Sequence, residues 1–291
     1  MLMKTRPPEA DPSPVESGTP VSGGLVPDAD TVLFANKVEK TYDNGTHALD
    51  ELSLRIQKGD FVSLLGPSGC GKSTLLKMFA GLESPSHGHL RWQGADAPAK
   101  SGLRTAMVFQ EATLMPWADI ETNVRLPLDL AHVSRAEAQQ RVARALEQVG
   151  LARFAKSYPR ELSGGMQMRV SIARALATEP DVLLMDEPFA ALDAISRASM
   201  NEETLRLWAE LGQTVLFITH DIDEAVFLAD RVVVLNIAPG GVHSELTIDL
   251  PRPRNNLQTR RLPAFLDYRN ELMERIAEVM AQSPLLLETS H

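Results

Sequence analysis

Cysteine is nearly absent from this chain. The single residue, Cys70, excludes an internal disulfide and fits a reducing compartment. No run of apolar residues is long enough to cross a bilayer. The opening MLMKTRPPEADPSP lacks the apolar core of a signal peptide. Basic residues are not in excess either: the formal net charge of −9 argues against a broad nucleic-acid surface, which wants a basic patch. No internal repeat is visible. What remains is an ordinary globular composition, 44% hydrophobic and 23% charged, in 291 residues that can hold one large α/β domain or two small ones. The expectation is a cytoplasmic protein.

Residues 1 to about 30 are rich in Pro, Ser, Gly and acidic residues and hold no aromatic side chain, so a disordered tail is expected there. From Thr31 the pattern tightens. Residues 32–40 and 51–57 read as strands, the second with Leu52, Leu54 and Ile56 alternating. Phe61–Leu65, Ala106–Phe109, Val182–Met185, Val215–Ile218 and Val232–Leu235 are short apolar runs of the kind that suits parallel strands buried on both faces. Between them, Ser134 and Glu137 form a capping-box candidate, followed by Val142, Ala145, Leu146 and Val149 on one helical face and Gly150 as a stop. Leu205, Trp208 and Leu211 mark another helix that ends at Gly212. The order predicts an α/β fold: a mostly parallel core over 31–246, an antiparallel β patch near its N-terminus and an inserted helical subdomain from about 116 to 176. The turn-rich DLPRPRN then leads into a C-terminal extension, 247–291. It carries one helix, roughly 263–281, expected to pack on the core.

Residues 66–74 read GPSGCGKST. Gly66, Gly71, Lys72 and Ser73 satisfy the phosphate-loop pattern directly after the apolar run Phe61–Leu65. Such a loop must wrap a polyphosphate with backbone N–H groups, and glycines at 66, 69 and 71 permit that close approach. Lys72 supplies a charge for the β- and γ-phosphates, Ser73 a hydroxyl for Mg²⁺, and the helix starting near Lys72 a positive N-terminus. The intervening Pro67, Ser68 and Cys70, with Thr74, are assigned to the same nucleotide-binding loop. Cys70 has two readings: a thiol facing the nucleotide, or an inert one pointing into the core.

Asp186 ends the apolar run Val182–Met185, where an α/β sheet places ligand groups, and is positioned to hold Mg²⁺. Glu187 follows and can take a proton from an attacking water. Pro188 then stops strand pairing. A solvated pair of surface acids is the alternative.

With these strings in place, the chain from about Val32 to Ile237 resembles the ATP-binding cassette family of transport ATPases, which carry a P-loop NTPase core. Leu162-Ser163-Gly164-Gly165-Met166 is similar to the family signature LSGGQ, with Met at the usual Gln and Gln167 following. The resemblance implies that Ser163, Gly164 and Gly165, opening a helix over Met166–Ala177, meet the γ-phosphate of ATP held by the other subunit of a homodimer. It implies that Gln110 reads Mg²⁺ and the attacking water, that Asp193 of Ala191-Leu192-Asp193 bridges subunits, and that His220 contacts the γ-phosphate. Tyr42 matches the aromatic that stacks on adenine; by its place near a strand end it could equally be core. His47, His87, His89, His132 and His243 match nothing in the family.

The segment after Gln110, EATLMPWADIETNVRLPLDL, lies where importer ATPases contact a membrane permease. Met115-Pro116-Trp117 with Thr122-Asn123-Val124 is similar to the branch serving nitrate, aliphatic sulfonates and taurine. Leu192-Asp193-Ala194-Ile195-Ser196-Arg197, His220-Asp221-Ile222-Asp223-Glu224-Ala225 and Asp249-Leu250-Pro251-Arg252-Pro253-Arg254 look like the same branch. Trp117 is then a partner contact, the alternative being a buried aromatic of the helical subdomain. The resemblance implies an importer ATPase on the cytoplasmic face of the membrane, with permease subunits and, indirectly, an extracytoplasmic solute-binding protein. A soluble cassette ATPase of DNA repair or translation is the competing reading, opposed by the single uninterrupted cassette and the acidic balance. A metabolite kinase would leave Ser163–Gly165 and His220 without a task.

Overall fold

The computed structural model of the protein describes residues 26–282. In chain order it contains β1 (Thr31–Thr41), β2 (His47–Gln57), β3 (Phe61–Leu65), α1 (Lys72–Phe79), β4 (His87–Trp92) and the single turn α2 (Pro98–Ser101). Then come β5 (Thr105–Val108), α3 (Ile120–Leu130), α4 (Arg135–Gln148), α5 (Gly164–Leu176), β6 (Val182–Asp186) and α6 (Ala194–Leu211). The chain continues through β7 (Thr214–Ile218), α7 (Ile222–Leu228), β8 (Arg231–Leu235), β9 (Val242–Thr247), α8 (Asn256–Thr259) and α9 (Pro263–Ala281).

The main sheet has the order β5-β6-β7-β3-β8-β9, parallel except for the antiparallel edge strand β9. Its inner strands read as unbroken apolar runs because both faces are covered, and side chains alternate between them. Val62, Leu64, Leu184, Leu216 and Val233 pack on one face with Leu75, Leu76 and Phe79 of α1 and with Leu33, Leu52 and Ile56 of the small sheet. Phe61, Leu65, Met185, Phe217 and Val234 pack on the other with Ile172, Phe227, Phe265 and Leu272. The small sheet is antiparallel, with β1 between β2 and β4.

Five of the longer helices, like the single turn α8 with Asn255, start on a side-chain cap. Asp119, Ser134, Ser163, Asp193 and Asp221 accept backbone N–H bonds at the first turns of α3, α4, α5, α6 and α7. Ser134 accepts from the Glu137 amide as expected, but the Glu137 carboxylate pairs with Arg141 instead of completing the box.

Several expectations are corrected. Strand β2 begins at His47, not residue 51, and β5 stops at Val108. Helix α5 begins at Gly164, not Met166, because Ser163 caps it. Strands β4 and β9 were not expected: HGHLRW and VHSELT lie on sheet edges and bury only Leu90, Trp92 and Leu246. Of the expected tail, residues 1–25 lie outside the described residues. Asp28 is pinned, accepting from Thr31 Oγ1 at 2.7 Å and from Arg55 and Gln57 at 3.1 Å each.

Candidate nucleotide site

The strand order gathers the chemistry at one sheet edge. Leu64 of β3 and Asp186 of β6 both lie opposite Ile218 of β7, and Val108 of β5 lies opposite Met185. Gly66, Asp186, Glu187, His220 and Gln110 therefore follow the carboxyl ends of adjacent strands, the place where open α/β sheets bind ligands.

The loop between β3 and α1 is shaped by two glycines. A Cβ on Gly66 would stand 2.9 Å from Cys70 Sγ and 3.1 Å from the Leu235 carbonyl. Gly71 has φ +93°, and a Cβ there would come within 2.6 Å of the Ala48 carbonyl oxygen. Gly71 also sits at the N-cap of α1, which has no side-chain cap, in contrast to α3 through α7. The first-turn N–H groups of α1 are thus left for an anion. Lys72 is 6% exposed, and its Nζ donates to the Gly66 and Pro67 carbonyls at 2.8 Å each. Ser68 and Gly69 are exposed at the tip.

Ser73 Oγ donates to Asp186 Oδ1 at 2.9 Å, so the two oxygens expected to share Mg²⁺ are already neighbours. Burial raises the Asp186 pKa and the Glu187 charge adds to it, while Ser73 works the other way. Glu187 adopts φ +44°, a left-handed conformation that L-residues seldom take. That turn brings Glu187 Oε2 to 3.0 Å from His220 Nδ1. The pair of acids is therefore not a solvated surface feature. Tyr42 is half-buried, with its hydroxyl 3.1 Å from Thr74 Oγ1 and Lys40 Nζ 5.0 Å from its ring centroid. Gln110 is exposed just beyond β5.

A family model described as ABC transporter matches residues 49–190. An aliphatic sulfonates import ATP-binding protein of Bacillus licheniformis is 40% identical over 239 residues, 81% of this chain and 91% of that protein. This chain belongs to the ABC transporter family. A nitrate import ATP-binding protein of Synechococcus elongatus is 44% identical over 229 residues, which make up 78% of this chain and 35% of that longer protein. A dimeric ATP-binding cassette solved in a post-hydrolysis state with ADP and Pi superposes with a TM-score of 0.66 at 34% identity, covering 74% of this chain and 98% of the other.

As an ABC cassette the protein is an ATPase that uses ATP and Mg²⁺. The loop fits that pair on its own geometry: an uncapped helix N-terminus, glycines where a Cβ would clash, and a hydroxyl–carboxylate pair beside them. The Cys70 side chain is 1% exposed in the core beneath Gly66, and burial raises its thiol pKa, which fits the reading of a thiol that points into the core.

The remaining cassette positions lie at the surface. Ser163 and Gly164 are exposed, and a Cβ on Gly164 would meet nothing within 4 Å. Gln167 turns inward, its amide donating to the Pro159 and Leu162 carbonyls. Asp193 is exposed; Oδ1 accepts the Ile195 and Ser196 amides, and Oδ2 accepts the Ser196 hydroxyl at 2.6 Å. These bonds lower its pKa. The turn leaves Ile195 85% exposed.

Trp117 is 77% exposed, so the buried reading falls. Its loop is fixed from below by Asn123, which is fully buried. Asn123 Oδ1 accepts the Met115 amide at 2.7 Å, and its Nδ2 donates to the Met115, Ala118 and Asp119 carbonyls.

Three residues given no individual role from sequence prove central. Arg197 ties the Phe189, Ala190 and Leu192 carbonyls to Asp221. Arg254, buried, donates to the Val226, Phe227 and Ala229 carbonyls and closes the C-terminal end of α7; burial lowers its pKa to about 10. Glu224 is buried beside His220. The strings carrying all three were legible, but their burial was not.

Proposed function

We propose that this cassette energises an importer of a small anion, of the nitrate, sulfonate or taurine type, and works as a homodimer on membrane permease subunits. What supports the dimer is a second phosphate-type segment in addition to the first. The phosphate loop, Asp186, Glu187 and His220 gather at the strand ends. Ser163 and Gly164 open to solvent and Gly165 is half-buried, with glycines whose Cβ positions are not blocked by the same chain. A helix N-terminus of that kind gains most by meeting an anion held elsewhere.

Each residue then has a task. The backbone of Gly66–Thr74 and Lys72 bind the polyphosphate, and Tyr42 stacks on adenine. Ser73, Asp186 and Gln110 would hold Mg²⁺, which supplies charge neutralisation on the phosphate oxygens. Glu187 accepts the proton of the attacking water, held in direction by its bond to His220. His220 also contacts the γ-phosphate, and Asp193 shapes the loop that meets the second copy.

Among the described residues no helix is long and apolar enough to cross a membrane. A groove of about 850 Å³, lined by Met107, Phe109, Thr113, Leu126 and Leu130 among others, opens where the chain leaves β5. With Trp117 it offers a permease helix an apolar seat on the cytoplasmic face of the membrane. Solute choice belongs to the permease and to an extracytoplasmic binding protein.

Co-expression with candidate importer permeases, followed by ATP-driven uptake into membrane vesicles, tests the reading. Uptake of a small anion that stops in a Glu187→Gln variant is expected. A cassette that co-purifies with nucleic acid or ribosomes, and with no membrane protein, would overturn it.

A further inference from the structure

Among the described residues three charged side chains are buried: Lys72, Arg254 and Glu224. Lys72 belongs to the phosphate loop, and Arg254 is answered by the carbonyls at the end of α7. Glu224 has no such explanation. It is 4% exposed in the first turn of α7 and has no cation within 4.0 Å among the described residues. Its Oε2 accepts the Thr219 hydroxyl at 2.5 Å. The same Thr219 oxygen accepts the Asp221 amide at 3.0 Å. Thr219 and Asp221 flank His220, so one buried carboxyl grips both sides of the residue that meets Glu187. Glu224 also lines a small pocket together with Glu187, Arg197 and His220.

We propose that Glu224 is a positioning residue for ATP hydrolysis, holding His220 against Glu187 through the Thr219 hydroxyl. A buried hydrogen bond to a carboxylate is short and stiff, which suits fixing a loop rather than filling a core. A carboxyl used only for packing would be replaced to advantage by an apolar or amide side chain, since burying its charge costs stability.

Its ionisation adds a signature. Burial pushes the Glu224 pKa up to about 7, the Thr219 bond opposes that, Asp221 at the α7 N-cap adds to it, and Arg197 of α6 opposes it. Glu187 and His220 face the same pocket from the ends of β6 and β7. The charged form is the better acceptor for Thr219, so the grip strengthens as pH rises through about 7.

The inference rests on the role proposed for His220, and the test separates the two. Steady-state ATPase of the full chain is measured from about pH 6 to 8.5 for wild type, Glu224→Ala, Glu224→Gln and His220→Ala. Wild-type kcat is expected to rise through about pH 7. Glu224→Ala should lose about tenfold in kcat at the alkaline end with KM for ATP within about twofold, the split expected of lost transition-state alignment. Glu224→Gln keeps an acceptor for Thr219; it should recover most of that loss and lack the rise. Should the alanine variant fail to fold, the pH profile of the glutamine variant decides. Wild-type kcat in Glu224→Ala, or an unchanged rise in Glu224→Gln, would overturn the proposal. Full turnover in His220→Ala would overturn the role of His220 and this inference with it. An inactive His220→Ala beside silent Glu224 variants would overturn this inference alone.

Discussion

Glu187 Oε2 stands 3.0 Å from His220 Nδ1, across the carboxyl ends of the neighbouring strands β6 and β7. The contact depends on the left-handed turn at Glu187, since an extended residue there would continue the strand. Glutamine at 187 retains size and a hydrogen-bonding group for His220 but cannot take a proton. Glu187→Gln should therefore bind ATP normally and hydrolyse it about 10²–10⁴-fold more slowly. With ATP it should accumulate as a dimer in sedimentation. Near-normal phosphate release would remove Glu187 from the proton transfer.

Lys72 opens α1 and Ser163 caps α5, and their variants should fail in different ways. Lys72→Ala deletes the charge nearest the phosphates and should weaken nucleotide binding by the monomer itself. Ser163→Arg places bulk where the chain has only solvent, so monomer binding should persist while ATP-dependent dimerisation is lost. Equal loss of binding in a calorimetric titration of both would contradict separate tasks for the two segments.

Exposure of Trp117 makes its substitution a clean probe. Trp117→Ala should leave the melting temperature and subunit ATPase unchanged, because its ring is 77% exposed. Removal of an aromatic anchor at an interface typically costs about 2 kcal/mol or more, so permease co-purification should fall. A large drop in melting temperature with full co-purification would make Trp117 structural.

The Cys70 side chain is buried beneath the loop that carries it. Maleimide should label the folded protein slowly whether or not Mg-ATP is present, and label rapidly once the chain is unfolded. Fast labelling of the native protein, blocked by ATP, would place the thiol on the nucleotide side.

Much of this was readable in advance where the chemistry is local. Gly66–Thr74 and Asp186–Glu187 are contiguous strings whose spacing is set by one turn, and the central strands announce themselves by unbroken apolar runs. Edge strands do not: β4 buries two residues of six, and its polar remainder reads like loop. Cys70 and Trp117 show a related limit. Sequence placed each in the right segment, but which way a side chain points depends on what packs behind it. Glu224 and Arg254 are the hardest case, since a charged residue reads as surface until its partners are assembled by tertiary folding.

Arg254 has one more consequence. The seven-residue helix α7 joins the loop carrying His220 to the end whose carbonyls Arg254 gathers, and Arg254 itself lies more than sixty positions beyond the stretch matched by the family model. A deletion ending the chain near Leu250 would leave every residue assigned to nucleotide in place. It would strip the plug from the lower end of that helix and take with it Phe265, Leu272 and Val279 of α9, which are buried in the main core. The rear of the molecule thus bears on the loop carrying His220, and shortened versions of this protein should be judged by melting temperature and turnover rather than by nucleotide binding alone.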